Sequence, residues 1–251
     1  MRLIARLDIK NKNLIKGINL EGLRVVGDPN KFAVKYFNEG IDEIIFMDVV
    51  ASLYGRNNLL DIINLATKDI FIPITVGGGI RSIDDAKKIF LSGADKIAIN
   101  TAAVNNPDLI NKLSEKFGSQ SIVLSIEAKK IENKKWEVFT HNGRQETGID
   151  VLEWSKEATK RGIGEILLTS VDMEGTRKGF DLKLLEVISK NVNVPVIASG
   201  GFGDPDHLIK LSQNSSVSAV AIADAFHFKR HFIKDLKKTA LKKNLKISLF
   251  T

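Results

Sequence analysis

Three carboxyl residues, Asp8, Asp48 and Glu127, each stand at the end of a short apolar run with the β-branched composition of a buried strand. Two opposed carboxylates can act as general acid and general base when their surroundings separate their pKa values. We therefore predict that Asp8 and Glu127 transfer protons. Asp48 is either a third acid at the same site or a carboxylate that caps its own loop.

Glycine clusters follow two further apolar runs, at residues 77–79 and 200–201. Asn100 and Thr101 follow another run and precede a segment of helical spacing. Glycine lets backbone N–H groups approach a ligand closely, and a helix N-terminus favours an anion. The pattern predicts two phosphate sites for a substrate that is phosphorylated at both ends. Glycines that only serve tight turns are the alternative.

Strand-like runs alternate with helical patterns along the chain, which predicts βαβ units and a parallel sheet. Eight strands in 251 residues fit a closed (βα)8 barrel, an α/β fold whose active site lies at the C-terminal ends of its strands. The predicted strands are residues 3–9, 43–48, 73–76, 96–99, 121–127, 165–170, 195–198 and 219–223. A small hairpin is predicted over residues 131–143, after the fifth strand, and an amphipathic helix with a lysine-rich face over residues 229–246. A doubly wound open sheet is the alternative. Its dinucleotide fingerprint requires a glycine-rich turn after the first strand, and LDIKNKNLIKG is not such a turn.

Internal repetition favours the barrel over the open sheet. IDEIIFMD (41–48) resembles IGEILLTS (163–170), IPITVGGG (72–79) resembles VPVIASGG (194–201), and DKIAINTAA (95–103) resembles SAVAIADAF (218–226). The three pairs have nearly the same separation in sequence. We predict a single domain over residues 1–251, built from two (βα)4 half-barrels at about 1–120 and 121–251.

Charged residues on the first strand point into the predicted barrel, because alternation places Arg2, Arg6 and Asp8 on its interior face. A buried guanidinium needs a carboxylate partner. Asp8, Glu127 and Asp48 are the candidate partners of Arg6, and we predict a bond to Glu127 or Asp48.

A second set of charges marks the opposite end of the barrel. Its members begin four of the predicted strands, so a barrel gathers them around its bottom opening. They are Arg2, Glu43, Lys96 and Glu165. A solvated rim with weak ion pairs is the alternative.

Composition excludes several classes of protein. Hydrophobic residues make up 43% and charged residues 27% of the chain, which is typical of a globular protein and not of a disordered one. The absence of cysteine excludes disulfides, a thiol nucleophile and cysteine–metal sites, and the four histidines lack metal-ligand spacing. We predict a cytoplasmic protein with no metal and no organic cofactor, and with neither a membrane nor nucleic acid as partner. The net charge of +7 favours phosphorylated metabolites.

The sequence resembles the cyclase subunits of imidazole glycerol phosphate synthase, a family of histidine biosynthesis. The similarity covers nearly the whole chain, and its most specific stretches are IKGINLEGLRVVGDP, IPITVGGGI, ADKIAINTAAVNNP, EKFGSQSIV, GEILLTSVD and VIASGG. The resemblance implies a (βα)8 barrel that pairs with a glutaminase subunit at its bottom. Ammonia from that partner would pass through the barrel and react with a bisphosphorylated ribonucleotide adduct. The products would be imidazole glycerol phosphate and aminoimidazole carboxamide ribotide.

The resemblance also assigns roles to residues. Asp8 matches the acid of the first strand, Lys16 matches a loop lysine that helps to close the site, and the four charges at the bottom match an ammonia gate. The resemblance further implies that one phosphate site is formed by Gly79, Asn100 and Thr101 and the other by Gly175, Ser199 and Gly201. We also predict that Asp48, Thr169 and Asp224 lie at the substrate site.

Some residues depart from the family pattern, which has Asp at position 127 and small residues at positions 6 and 224. Glu127 keeps a carboxylate on a longer stem, which we expect to impair proton transfer, because catalytic groups need placement within about 0.5 Å. An ionised Asp224 would repel the second phosphate by on the order of a few kcal/mol.

Other functions therefore stand beside the cyclase. A paralogue could pass ammonia to a different acceptor, as in amidino-sugar formation for surface glycans, and a basic scaffold without catalysis is a third hypothesis. The sister isomerase of the pathway shares the half-barrel repeat, but the gate and the FGSQ stretch fit the cyclase better.

Overall fold

Parallel strands and helices alternate along the chain, and the computed structural model describes them for residues 1–51 and 59–248. The strands are β1 (Arg2–Lys10), β2 (Asn13–Ile18), β3 (Glu21–Gly27), β4 (Glu43–Asp48), β5 (Ile74–Gly77), β6 (Lys96–Ile99), β7 (Ile122–Glu132), β8 (Lys135–Thr140), β9 (Gln145–Asp150), β10 (Glu165–Ser170), β11 (Val196–Ser199) and β12 (Ala219–Ile222). The α-helices are α1 (Pro29–Asn38), α2 (Leu60–Asp69), α3 (Ile83–Leu91), α4 (Thr101–Asn105), α5 (Asp108–Phe117), α6 (Val151–Arg161), α7 (Leu182–Asn191), α8 (Pro205–Asn214), α9 (Asp224–His227) and α10 (Ile233–Lys242).

Eight of the described strands close into a parallel barrel. Starting from β1, the ladder runs through β4, β5, β6, β7, β10, β11 and β12 and returns to β1. The predicted (βα)8 barrel is therefore confirmed. Within the described ranges, every helix is too short or too polar to traverse a bilayer.

The strand sequences are apolar on both faces because both faces are covered. On β4, Ile44 and Phe46 pack outward against the helix layer, whereas Ile45 and Met47 pack into the barrel interior. Side chains capture the first free backbone N–H groups of several helices, as Ser82 does for α3. The outer layer thereby fixes which residues of each strand face inward.

The repeated sequence segments occupy equivalent positions in the two halves. They form β4 and β10, β5 and β11, and β6 and β12. Each half also begins with a strand, β1 or β7, that continues beyond the barrel into antiparallel pairing. The β2–β3 hairpin was not predicted, and the hairpin expected over residues 131–143 extends to a third strand, β9.

The C-terminal helix is shorter than its lysine-rich sequence suggests. An amphipathic helix was expected over residues 229–246, and α10 spans Ile233–Lys242. Lys229 has φ +53°, a left-handed backbone conformation that no α-helix can include. The chain therefore turns there before α10 begins.

A buried ion pair attaches α10 to the bottom of the barrel. Asp42 accepts hydrogen bonds from the Leu3 backbone N–H and from Lys237 Nζ, each at 2.7 Å. Both charged side chains are buried. Removal of either charge would leave its partner without compensation in an apolar setting.

We expect Asp42→Ala to lower the free energy of unfolding by about 3–5 kcal/mol, because Lys237 stays buried without a counter-charge. Urea denaturation would measure the change. Glu186→Ala is the matched control, since Glu186 pairs with Lys190 on the exposed side of α7 and such pairs contribute about 1 kcal/mol or less. Equal effects of the two substitutions would contradict a structural role for the Asp42 pair.

Candidate active site

The carboxyl ends of the barrel strands bring Asp8 and Glu127 to one rim. Asp8 lies on β1 and Glu127 on β7, which are opposite each other in the closed ladder. Their neighbours Leu7 and Ile126 pack against the helix layer, so strand alternation turns both acids into the barrel. The structure thus gives the predicted arrangement of two opposed, buried carboxylates.

Arg6 lies in the barrel interior and reaches across it from β1. Its Nε donates to Asp8 Oδ1 at 2.9 Å, and its Nη1 donates to Thr169 Oγ1 at 2.9 Å and to Ser199 Oγ at 3.2 Å. Thr169 lies on β10 and Ser199 on β11. The guanidinium therefore forms hydrogen bonds with the hydroxyl groups of Thr169 and Ser199, which were predicted to contact the substrate.

The predicted bond from Arg6 to Glu127 or Asp48 is wrong. Residues i and i+2 of a strand share a face, so the carboxylate of Asp8 lies next to Arg6 on the interior face of β1. Asp48 accepts a hydrogen bond from the Val50 N–H at 3.0 Å instead, and burial raises the pKa of Asp48 above its ordinary value. Asp48 caps its own loop and also borders the cavity beside Glu127.

A second cation stands next to Asp8. Lys16 lies on β2, is buried, binds Glu174 and approaches Asp8 Oδ2 to 3.9 Å. Burial by itself would raise the pKa of Asp8, but the charges of Arg6 and Lys16 hold that pKa below its usual value. Asp8 is therefore ionised at neutral pH.

Glu127 has a different environment, with neutral donors as its hydrogen-bond partners among the described residues. Its Oε2 accepts from the Gly143 N–H at 2.8 Å and from Asn100 Nδ2 at 3.1 Å. Burial raises the pKa of Glu127 from 4.5 to about 7, and the Gly143 bond and the charge of Arg6 offset only part of that rise. Glu127 can therefore both donate and accept a proton near neutral pH, as a general acid or base must.

A cavity of about 380 Å³ opens beside Glu127 at the ends of β5 and β6. Gly78, Gly79, Asn100 and Thr101 border it, as predicted for the first phosphate site. A Cβ on Gly78 would lie 2.3 Å from the Asp48 carbonyl oxygen, so that only glycine fits there. The cavity is large enough for a phosphorylated ligand.

Polar side chains of this cavity are partly engaged within the protein. Asn100 Nδ2 donates to Glu127 and to the Phe139 carbonyl at 3.0 Å, so the predicted donation from this amide to a ligand is replaced by an internal bond. Thr101 Oγ1 accepts from the His141 N–H at 3.2 Å. The hydroxyl proton of Thr101 is left to donate to a ligand.

The equivalent site at the ends of β11 and β12 is almost filled. Gly175, Ser199, Gly201 and Asp224 border a cavity of only about 20 Å³, and Arg6 forms part of its wall. A space of this size holds a water molecule at most. The two predicted phosphate sites therefore differ in volume, about 380 Å³ at the first and about 20 Å³ at the second, where Arg6 lies in the wall.

Asp224 forms an ion pair that was not predicted from the sequence. Arg230 Nε donates to Asp224 Oδ1 at 3.1 Å. Arg230 follows Asp224 by six residues in the sequence, so the contact depends on the chain reversal after α9. The expected net repulsion of a phosphate by Asp224 is thereby offset.

The charges predicted at the bottom of the barrel come together in one ring. Arg2 binds Glu43 and Glu165, while Lys96 Nζ donates to Glu165 Oε2 at 2.9 Å and lies 3.5 Å from Glu43 Oε2. Both glutamates are buried, so the arrangement differs from a solvated rim. We call these four residues the charged ring.

Comparison with known proteins assigns the chain to a family. The profile of the histidine biosynthesis protein family matches residues 2–231. The chain is 62% identical over 203 residues to the imidazole glycerol phosphate synthase subunit HisF of Legionella pneumophila, covering 81% of this chain and 96% of that protein. It is 46% identical over 248 residues to the subunit of the same name from Bacillus cereus strain Q1, covering 99% of this chain and 98% of that protein.

The chain belongs to the histidine biosynthesis family. In this member of the family, sequence reasoning missed the turn after β8. His141 and Asn142 border the cavity and Gly143 donates a hydrogen bond to Glu127, although no residue of this turn was predicted to lie at the site. The one available signal was the hairpin itself, because an insertion after a barrel strand lies at the C-terminal rim. In the described part of the chain, no cluster of His, Asp and Glu side chains is arranged to hold a metal ion.

Glu127 should make the stability of this histidine biosynthesis family member depend on pH. Folded Glu127 has a pKa of about 7 and keeps its proton up to about that pH, whereas the pKa of an unfolded glutamic acid is 4.5. The folded chain binds more protons between these values, so stability falls as pH rises through this window. We expect Glu127→Gln to raise the free energy of unfolding at pH 8 by on the order of 3 kcal/mol at most, and to have little effect at pH 4.

Denaturant titrations at the two pH values would measure this difference. Glu115→Gln, on the exposed face of α5, controls for the loss of one negative charge. A Glu127→Gln variant that is equally destabilised at both pH values would contradict the raised pKa.

Proposed function

We propose that this chain is an ammonia-dependent cyclase of the imidazole glycerol phosphate synthase type. It would use ammonia to convert a bisphosphorylated ribonucleotide adduct into imidazole glycerol phosphate and aminoimidazole carboxamide ribotide. One observation carries the proposal: a single barrel has the charged ring at its N-terminal end and a buried, titratable carboxylate beside a ligand-sized cavity at the other. The similarity to proteins named as subunits of that synthase supports it.

The two acids would have different roles in this cyclase. Asp8 is held ionised by Arg6 and Lys16 and would stabilise positive charge that develops on the attacking nitrogen. Glu127 would take protons from that nitrogen and return them to the leaving group, because its pKa of about 7 allows both directions near neutral pH. Both residues remain our proposed catalytic pair.

Substrate binding would begin at the open cavity. The backbone N–H groups around Gly79 and the hydroxyl of Thr101 border the cavity and would bind one phosphate, and Asn100 links this site to Glu127 through its amide. Phosphate binding there would thus fix the position of the group that transfers protons.

The partner that supplies ammonia would be a glutaminase subunit docked on the bottom of the barrel, with which the chain would act in the cytoplasm. The charged ring is the route of entry in this proposal. Its paired charges close the opening to bulk solvent, and a small shift of Lys96 between Glu43 and Glu165 would suffice to admit neutral ammonia. Glu43 Oε2 lies 3.5 Å from Lys96 Nζ and has no hydrogen-bond partner among the described residues, so it can accept a hydrogen bond from the Lys96 ammonium after such a shift.

A second candidate function is a paralogous subunit that passes ammonia to a different acceptor. The bond between Arg6 and Asp8 favours it, because that bond holds Asp8 ionised and so removes one acid from proton exchange. The cyclase assay below also decides between the two functions.

We expect the purified chain, given saturating ammonium and the bisphosphorylated adduct, to release imidazole glycerol phosphate, measured by chromatography. Glu127→Gln should lower turnover by about 10²–10⁴-fold, the usual contribution of a general acid or base, while Glu115→Gln should leave it unchanged. If the wild-type chain releases no product but accelerates glutamine hydrolysis by an added glutaminase, the result supports the paralogous subunit and rejects the cyclase. Neither product nor stimulation would indicate a scaffold.

The charged ring should determine how efficiently ammonia from glutamine hydrolysis by the partner reaches the cyclase reaction. We expect Glu165→Gln, which weakens contacts to Arg2 and Lys96, to lower glutamine-dependent product formation severalfold because ammonia escapes at the opened bottom. Activity with external ammonium should stay near wild type, since ammonium reaches the cavity from the other end. A parallel fall of both activities would contradict a role in ammonia transfer, and Glu186→Gln on α7 is the control.

A further inference from the structure

A larger cavity, of about 540 Å³, lies outside the closed second site and has no role in the proposed mechanism. It is bordered by the β2–β3 hairpin, the loop after β10 and the segment after α9. Gly175 and Asp224 belong to the walls of both spaces, so the two adjoin. We call it the outer cavity.

Basic side chains dominate the wall of the outer cavity. The cations are Lys16, Arg24, Arg177 and Arg230, and the acids are Glu21 and Asp224. Lys16 is already bound to Glu174. Neither Arg24 nor Arg177 forms an ion pair with any residue that the structure describes, and both are exposed. The outer cavity therefore has an excess of available positive charge.

Arg230 is held in one orientation from two sides. Asp224 Oδ1 accepts from its Nε at 3.1 Å, and the ring of Phe228 lies 5.2 Å from its central carbon. Within residues 1–51 and 59–248, neither Nη1 nor Nη2 has a hydrogen-bond partner. A guanidinium fixed through Nε presents its two remaining nitrogens as a fork, which matches two oxygens of a phosphate.

The closed inner site explains why an anion would need the outer cavity. Arg6 forms part of the wall of this site and bonds Ser199, and the volume of about 20 Å³ inside it is too small for a phosphate group. The outer cavity begins at Gly175, directly beyond this obstruction.

We propose that a phosphate monoester binds in the outer cavity between the guanidinium groups of Arg230 and Arg177, with Asp224 as the positioning residue that orients Arg230. Identification of that group as the second phosphate of the bisphosphorylated substrate rests on the proposed function. Binding of the phosphate itself does not.

Inorganic phosphate is the probe, and the side-chain Nε–Hε resonances of arginine report where it binds. We expect titration of the wild-type chain to shift the signals of Arg230 and Arg177 in a saturable manner, independently of any binding in the cavity beside Glu127. Arg230→Gln should weaken the binding reported by Arg177 by about tenfold, the loss of one charge-assisted contact. Lys229→Gln, which removes the same charge from the adjacent exposed position outside the cavity wall, should have a much smaller effect.

Asp224→Ala gives a test of opposite sign. If Asp224 only repels phosphate, its removal strengthens binding at Arg177, whereas loss of a residue that orients Arg230 weakens it. Weaker binding supports the proposal. Stronger binding, or arginine signals that do not respond to phosphate in the wild-type chain, overturns it.

The same variants separate this site from the proposed function. With the bisphosphorylated adduct, Arg230→Gln should raise KM severalfold with little change in kcat, because the outer cavity binds and does not react. If the wild-type chain forms no imidazole glycerol phosphate but its arginine signals still respond to phosphate, the proposed function fails and the site stands. Catalysis with no response at Arg230 and Arg177 removes the site alone.

Discussion

The buried ion pair between Arg6 and Asp8 determines how the upper half of this barrel is arranged. A guanidinium in an apolar interior is tolerated only when it is paired and hydrogen-bonded, and Arg6 meets that requirement with one carboxylate and two hydroxyl groups. Those hydroxyls, on Thr169 and Ser199, are thereby withdrawn from ligand binding. The guanidinium also forms part of the wall of the small inner phosphate site, so one side chain contributes both charge and shape to this half of the rim.

The two halves of the barrel show what this pair changes. Equivalent sequence segments form β4–β6 and β10–β12, and each half has a glycine turn after its third barrel strand, at the same rim. The first half keeps an open cavity beside Glu127, while the second has a filled inner site and a basic space further out. A repeated backbone therefore supports two different anion environments, because side chains from β1 reach only one of them.

The sequence was sufficient for those features that depend on strand position alone. Parallel strands end at one rim and begin at the other, so the acids Asp8 and Glu127 and the charged ring could be located from the order and limits of the strands. Features that depend on which of several possible partners a side chain bonds could not be predicted in this way. Arg6 had several carboxylates within conceivable reach, and the amide of Asn100 could serve a ligand or Glu127 equally well. The β2–β3 hairpin was missed because Gly17, Gly22 and Gly27 interrupt its apolar residues, as is typical of a loop.

Because Arg6 bonds Asp8 and not Glu127, the pKa values of the two acids also differ. Opposed buried carboxylates next to a shared cation would both be held ionised if each bonded it directly, and neither could then exchange a proton near neutral pH. Here Arg6 bonds Asp8, and Lys16 adds a second positive charge on the same side. Glu127 is left with an amide and a backbone N–H as partners, so burial dominates and raises its pKa. The ion pair that fixes one acid in its charged form is therefore the reason that the other remains able to titrate.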